Sequence, residues 1–253
     1  MAYYDLQRKG GLQISKMFRR HILILIFRIL LLAAAVYFYI ADSEKQDFTA
    51  MQRRGLNGIF LYVVWAVLVI SMLFRLIPNK RTAIGARKHY AQSHQAAPAI
   101  QNDPISTIIK RNRLHRGALA SALAWIVLNA AVFIVLFLND MLTPSAAVTL
   151  MLIYAVCDMI CILFFCPFQV FFLRNRCCTQ CRIHNWDYLM MCTPMILFPS
   201  FYSISLLLLS ASVVLRWELA IHKNPHFFMA ETNENLRCDR CNDRLCLVNK
   251  PLE

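Results

Sequence analysis

Two sets of cysteines carry the densest chemistry in this chain. The first lies in "RNRCCTQCRIHNWD" at 174–187, hard against the end of a long apolar run, and holds Cys177, Cys178 and Cys181. The second, "RCDRCNDRLC" at 237–246, holds Cys238, Cys241 and Cys246. Cys178-x-x-Cys181 and Cys238-x-x-Cys241 are knuckles, because that spacing lets one tight turn aim two sulfurs at one ion, at about 2.3 Å for zinc. Two knuckles supply four thiolates, which suits a closed zinc site or an iron–sulfur cluster. Tight pairs of this kind read as metal ligands or redox thiols before structural disulfides.

The choice of metal turns on what surrounds the sulfurs. Zinc knuckles favour glycine after the second cysteine, and here Arg182 and Asn242 follow; all six glycines lie at or before Gly117. Asn tolerates the left-handed conformation and Arg tolerates it poorly. Cys177, Cys192 and Cys246 are surplus to a four-ligand site, and Arg176, Arg182, Arg237, Arg240 and Arg244 lower thiolate pKa values and offset an anionic cluster. The expectation is an iron–sulfur cluster on Cys178, Cys181, Cys238 and Cys241, with Cys246 or Cys177 able to substitute. Zinc on the same ligands, pinning the tail, is the alternative.

A second constellation is charged. Arg28 stands about 7 residues into the first apolar run, roughly 10 Å deep at 1.5 Å per residue, and Asp158 in the fourth run reaches a similar depth. Charges at membrane depth pair or serve a pathway, and these two are the intramembrane candidates. Cys157 and Cys161 share a helix face beside Asp158 and read as small buried apolar residues. His184, His222 and His226 read as solvated loop histidines, and Trp186, Tyr188, Trp217, Phe227 and Phe228 as interfacial anchors.

The elements that must position these groups are apolar helices. Of 253 residues, 58% are hydrophobic and 16% charged, with a mean hydropathy of +0.48. That is too little charge for a soluble surface and reads as an integral membrane protein. Five runs are long enough to cross about 30 Å of hydrocarbon, at 21–40, 57–77, 118–139, 146–173 and 191–215. They must be helices, because an open strand leaves its backbone unsatisfied in lipid. The net charge of +13 collects in stretches between these runs rather than in a nucleic-acid-binding surface, so no nucleic-acid partner is expected. No nucleotide-binding, zinc-protease or hydrolase motif is present.

The basic segments 1–20 and 78–117 fall on the cytoplasmic side by the positive-inside rule, while 41–56 and 139–145 fall outside. The middle of the long connection, 90–106, reads as a flexible linker. The fifth run decides whether the two cysteine sets meet. Pro194 and Pro199 interrupt it, so it is either a re-entrant hairpin that returns the tail to the cytoplasm or a fifth full span.

The resulting expectation is an all-α integral membrane protein of four to five transmembrane helices with a small cytoplasmic cysteine-rich metal-binding subdomain. Its parts are a basic N-terminus at 1–20, helix pairs at 21–77 and 118–173, a basic connection at 78–117, a cysteine loop at 174–190, the fifth segment at 191–215 and a tail at 216–253. The expected location is the cell (inner) membrane with the N-terminus cytoplasmic. The expected function is electron transfer or redox sensing, with a quinone or another membrane redox protein as partner. A scaffold or transporter component with a structural zinc is the alternative. No residue set assigns a catalytic reaction.

Overall fold

The computed structural model describes residues 16–41, 55–76, 95, 104–174, 181–229 and 232–236. Every element among them is helical. The long ones are α1 (Lys16–Ala41), α2 (Gly55–Leu76), α3 (Pro104–Leu138), α4 (Pro144–Leu163) and α6 (Phe201–Lys223), with the short α5 (Asp187–Cys192) between α4 and α6. Each long helix contains a segment apolar and long enough to cross a bilayer. Large apolar side chains face outward along all of them, among them Leu30, Ile70, Val127, Phe137, Phe201 and Leu208. Apolar surface this extensive, on five helices each long enough to span, fits a lipid surrounding, so the chain is a multi-pass membrane protein.

Helix α4 forms the centre, with 56% of its apolar window buried against 11–22% for the other four. Thr143 caps it by accepting the N–H of Ala146 at 3.2 Å, and Pro144 occupies its first turn, where a missing N–H does no harm. Small residues Ala147 and Ala155 let its neighbours close in. α1 packs along α4, and α2 packs along α6. The main core joins Val64 and Met72 of α2, Met151 and Leu152 of α4, Met191 of α5 and Leu206 of α6.

Three boundaries differ from the sequence reading. The third run does not begin at 118; its helix starts at Pro104 and carries the basic stretch 108–116 as continuous helix. The fourth run is not one helix to residue 173. α4 stops at Leu163, and a π-helical turn follows at Phe168–Leu173, because Pro167 lacks an N–H and disfavours helical geometry at Cys166.

The fifth run is divided. A 3₁₀ turn (Arg182–Trp186), α5 and a second 3₁₀ turn (Thr193–Leu197) lead to a bend at Phe198–Ser200, where Ser200 caps α6 by accepting the N–H of Ser203. Its start lies beside Arg75 of α2, which bonds Asp187. Its bend lies at the level of Tyr62 and Trp65, which meet Tyr202 and Ser205. Those two levels are about 20 Å apart along α2. α6 then runs parallel to α2 back to the first level, where Trp217 donates to the Arg182 carbonyl at 2.9 Å. The result is a hairpin with a short broken arm and a long helical one. Its two ends sit at the same, basic end of the bundle.

Candidate functional site

Arg28 and Asp158 meet: Nη1 of Arg28 lies 2.8 Å from Oδ2 of Asp158 and 2.5 Å from the Ala155 carbonyl. Arg28 comes from α1 and Asp158 from α4, and the close α1–α4 packing through Leu25, Met159 and Ile162 holds the pair in place. Both side chains remain about one-seventh exposed, at 14% and 15%. What they face is a cavity of about 480 Å³ between α1, α2 and α4, floored by His184 and Tyr188. Toward the far end α1 and α2 close on each other, with Phe38 against Phe60 at 5.2 Å. The cavity runs along α1 from Met17 to Leu31 and along α2 from Val64 to Arg75.

A second pair was missed by sequence reasoning. Arg75, near the end of α2, sets its fork on Asp187, with Nη1–Oδ1 at 2.7 Å and Nη2–Oδ2 at 2.6 Å. The same Nη1 reaches Asn185 Oδ1 at 3.0 Å, and the guanidinium lies 4.5 Å over the ring of Tyr188. Burial pushes the Asp187 carboxyl above the usual range, and Arg75 pulls it back. The signal was present as an arginine inside an apolar run and an acid just before the next one.

His184 is not a solvated loop residue. Its Nε2 is sealed from solvent with no hydrogen-bond partner, and desolvation, helped by Arg75, pushes its pKa down to about 3. The imidazole is therefore neutral at ordinary pH. The expected interfacial anchors also turn inward. Tyr188 is buried under Arg75, and Trp217 bonds the Arg182 carbonyl. Trp186 donates to Glu218, which pairs with Arg182 at 2.6 Å. The two tryptophans close the base of the hairpin, where a backbone carbonyl and a carboxylate offer their N–H groups better partners than lipid does.

The cysteines separate into three groups. Cys157 is exposed and Cys161 and Cys166 are half-buried, so this group faces partly outward rather than into the interior. Cys192 is fully enclosed in the main core, where it packs as a small apolar side chain. Of the six candidate metal ligands only Cys181 is described. It is buried against Ala118, Leu173 and Ile183; Cys177, Cys178, Cys238, Cys241 and Cys246 lie outside the described residues. Among the described residues no three His, Cys, Asp or Glu side chains converge on a metal position. The segment 232–236 reaches the basic end as well, through Asn233 bonding the Phe227 carbonyl and Phe228 standing edge-on to Trp217.

The class these features define is a multi-pass α-helical membrane protein with a charged cavity at one end of its bundle. No family model, curated protein or solved structure matches the chain.

Proposed function

We propose that this protein binds a small amphiphile with an anionic or strongly accepting head, as a carrier or transporter component. The observation that carries the reading is the Arg28–Asp158 pair at the wall of the 480 Å³ cavity. That volume lies in the range of small-molecule sites, about 300–1,000 Å³, and its mix of apolar walls with a few convergent polar groups is their usual chemistry. Arg28 spends one Nη on Asp158 and Ala155; its remaining donors have no partner among the described residues, and Arg20 adds a further cation to the lining. Ile24, Phe27, Leu31 and Leu68 supply an apolar wall for a tail. In this proposal the basic end faces the cytoplasm of the cell (inner) membrane, following the distribution of Lys and Arg.

Titration of the full chain in phosphatidylcholine nanodiscs with dansyl-labelled undecanoic acid tests the reading, with oleate and decylubiquinone as competitors. Saturable fluorescence that Arg28→Met weakens about tenfold or more supports it, since hydrogen bonds to a charged group contribute roughly 1.5–3 kcal/mol. Absence of saturable binding removes the cavity as a ligand site. Displacement by decylubiquinone alone redirects the reading to a quinone.

A second proposal concerns the cysteines: a Cys-ligated centre, iron–sulfur or zinc, on Cys178, Cys181, Cys238 and Cys241, with Cys177 and Cys246 in reserve. It is supported by their spacing and by the return of α6 to the end of the bundle that holds Cys181. Iron with sulfide in anaerobically purified protein would make the chain a redox carrier or sensor. One zinc per chain and no colour would make the centre a clasp. Protein free of both metals would end this proposal.

A further inference from the structure

Away from the cavity, on the other flank of the basic end, three arginines converge without acids. Arg113 and Arg116 stand one turn apart on the exposed face of α3. Arg174 joins them from the end of the π-helical turn, and all three line one groove of about 720 Å³. Gly117 is the reason they meet. A Cβ there would lie 2.6 Å from the Phe172 carbonyl oxygen and 3.2 Å from the Leu173 Cα, so only glycine lets α3 approach this backbone so closely. Arg174 itself takes a left-handed conformation, φ 48° and ψ 44°, with its N–H bonded to the Gln169 carbonyl. That geometry is unfavourable for a long side chain, and here it turns the guanidinium out beside α3.

None of the three arginines makes an ion pair among the described residues. The same groove is walled by Phe171 and Phe172, which are 67% and 36% exposed. It sits at the boundary where α3 passes from its basic stretch into its apolar one. An occupant must therefore offer an anion to the guanidiniums and hydrocarbon to the phenylalanines. A free phosphate satisfies the first requirement only. We propose that this groove binds the headgroup of an anionic phospholipid, its phosphate among Arg113, Arg116 and Arg174 and its acyl chains along Phe171 and Phe172. This site shares no lining residue with the cavity.

The test uses the purified full chain in phosphatidylcholine bilayers with chain-spin-labelled phosphatidylglycerol or phosphatidylcholine, reading the motionally restricted fraction. Preference for phosphatidylglycerol is expected. It should fall about fivefold with each of Arg113→Gln and Arg116→Gln, the effect of one basic residue at an anionic surface. Arg174→Gly should reduce it similarly while keeping the left-handed backbone. Arg216→Gln, an exposed arginine on α6, should leave it unchanged. Equal restriction of the two lipids would overturn the proposal. So would a loss in Arg216→Gln as large as in the groove variants, which would mean diffuse surface charge. Displacement by inorganic phosphate beyond that by sodium chloride of equal ionic strength would assign the arginines to a free anion and overturn the lipid assignment.

Discussion

Two arginine–carboxylate pairs at the basic end, Arg75–Asp187 and Arg28–Asp158, differ in how deeply each is buried and how many contacts join it. Arg75 and Asp187 are 10% and 7% exposed, joined fork to fork, with Asn185 and the Tyr188 ring completing the shell. Arg28 and Asp158 are twice as open on the Asp side, 15% against 7%, and share a single contact at 2.8 Å. A buried pair with two contacts holds elements together, here α2 to the start of the hairpin. A pair that keeps donors free beside a cavity is available to a ligand. Position in the fold explains the difference: Arg75 meets the turn that carries Asn185 and Asp187, whereas Arg28 lines the cavity between α1, α2 and α4.

The largest expected effect breaks the closed pair. Arg75→Met or Asp187→Leu alone leaves a buried charge without its partner and should destabilise the protein by about 3–5 kcal/mol. Arg75→Met combined with Asp187→Leu should recover most of that loss, because an apolar pair of similar volume needs no desolvation. Denaturant unfolding in detergent, followed by tryptophan fluorescence, reads both. Recovery that fails would mean that Asn185 and Tyr188 depend on the charges for their own positions.

The open pair should respond in the opposite way. Arg28→Met should lower the affinity for dansyl-labelled undecanoic acid by about tenfold or more, whereas Asp158→Leu, which releases the guanidinium from its competing carboxylate, should not, and both should lose less stability than either the Arg75 or the Asp187 variant. Equal destabilisation by the two sets would erase the distinction between the pairs.

A pH titration sharpens the comparison, since His184 floors the cavity and its carbonyl lies 3.4 Å from Arg75. In the folded protein its pKa is down to about 3, against an ordinary 6.5. Between these values the unfolded chain binds the extra proton, so stability falls as pH drops from 6.5 toward 3, by at most about 1.4 kcal/mol per unit. His184→Gln should flatten that limb of a thermal-stability profile. An unchanged slope would show that another group governs the acid response.

The smallest effect belongs to the hairpin base. Glu218→Gln weakens the ion pair with Arg182 while an amide oxygen can still accept from Trp186, for a loss of about 1 kcal/mol. Glu218→Leu removes both and should increase protease sensitivity near 182–186. If the two substitutions behave alike, the Trp186 bond contributes nothing measurable.

The apolar runs were legible because lipid imposes a single rule on length and hydropathy, and all five reappear as helices long enough to span. Arg28 and Asp158 stood out for the same reason: a charge deep in an apolar run has few places to go. The break after Leu163 was visible as Pro167 yet was absorbed into a long hydrophobic run, since hydropathy does not weigh backbone donors. Arg75 resembled an ordinary basic stop at a helix end, and Asp187 an ordinary loop acid. Their meeting depends on how the hairpin folds back, which no local pattern encodes. Trp186 and Trp217 followed composition toward the lipid interface, while Glu218 and the Arg182 carbonyl drew them inward. For the cysteine pairs the spacing remains the argument, because Cys181 alone of the six is described.

The most direct test of the account is to measure Arg28→Met and Arg75→Met side by side, each for unfolding free energy and for affinity toward dansyl-labelled undecanoic acid. The account predicts that Arg28→Met loses binding and keeps most of its stability, while Arg75→Met loses about 3–5 kcal/mol. Wild-type affinity in Arg28→Met, or a loss of stability equal to that of Arg75→Met, would contradict it.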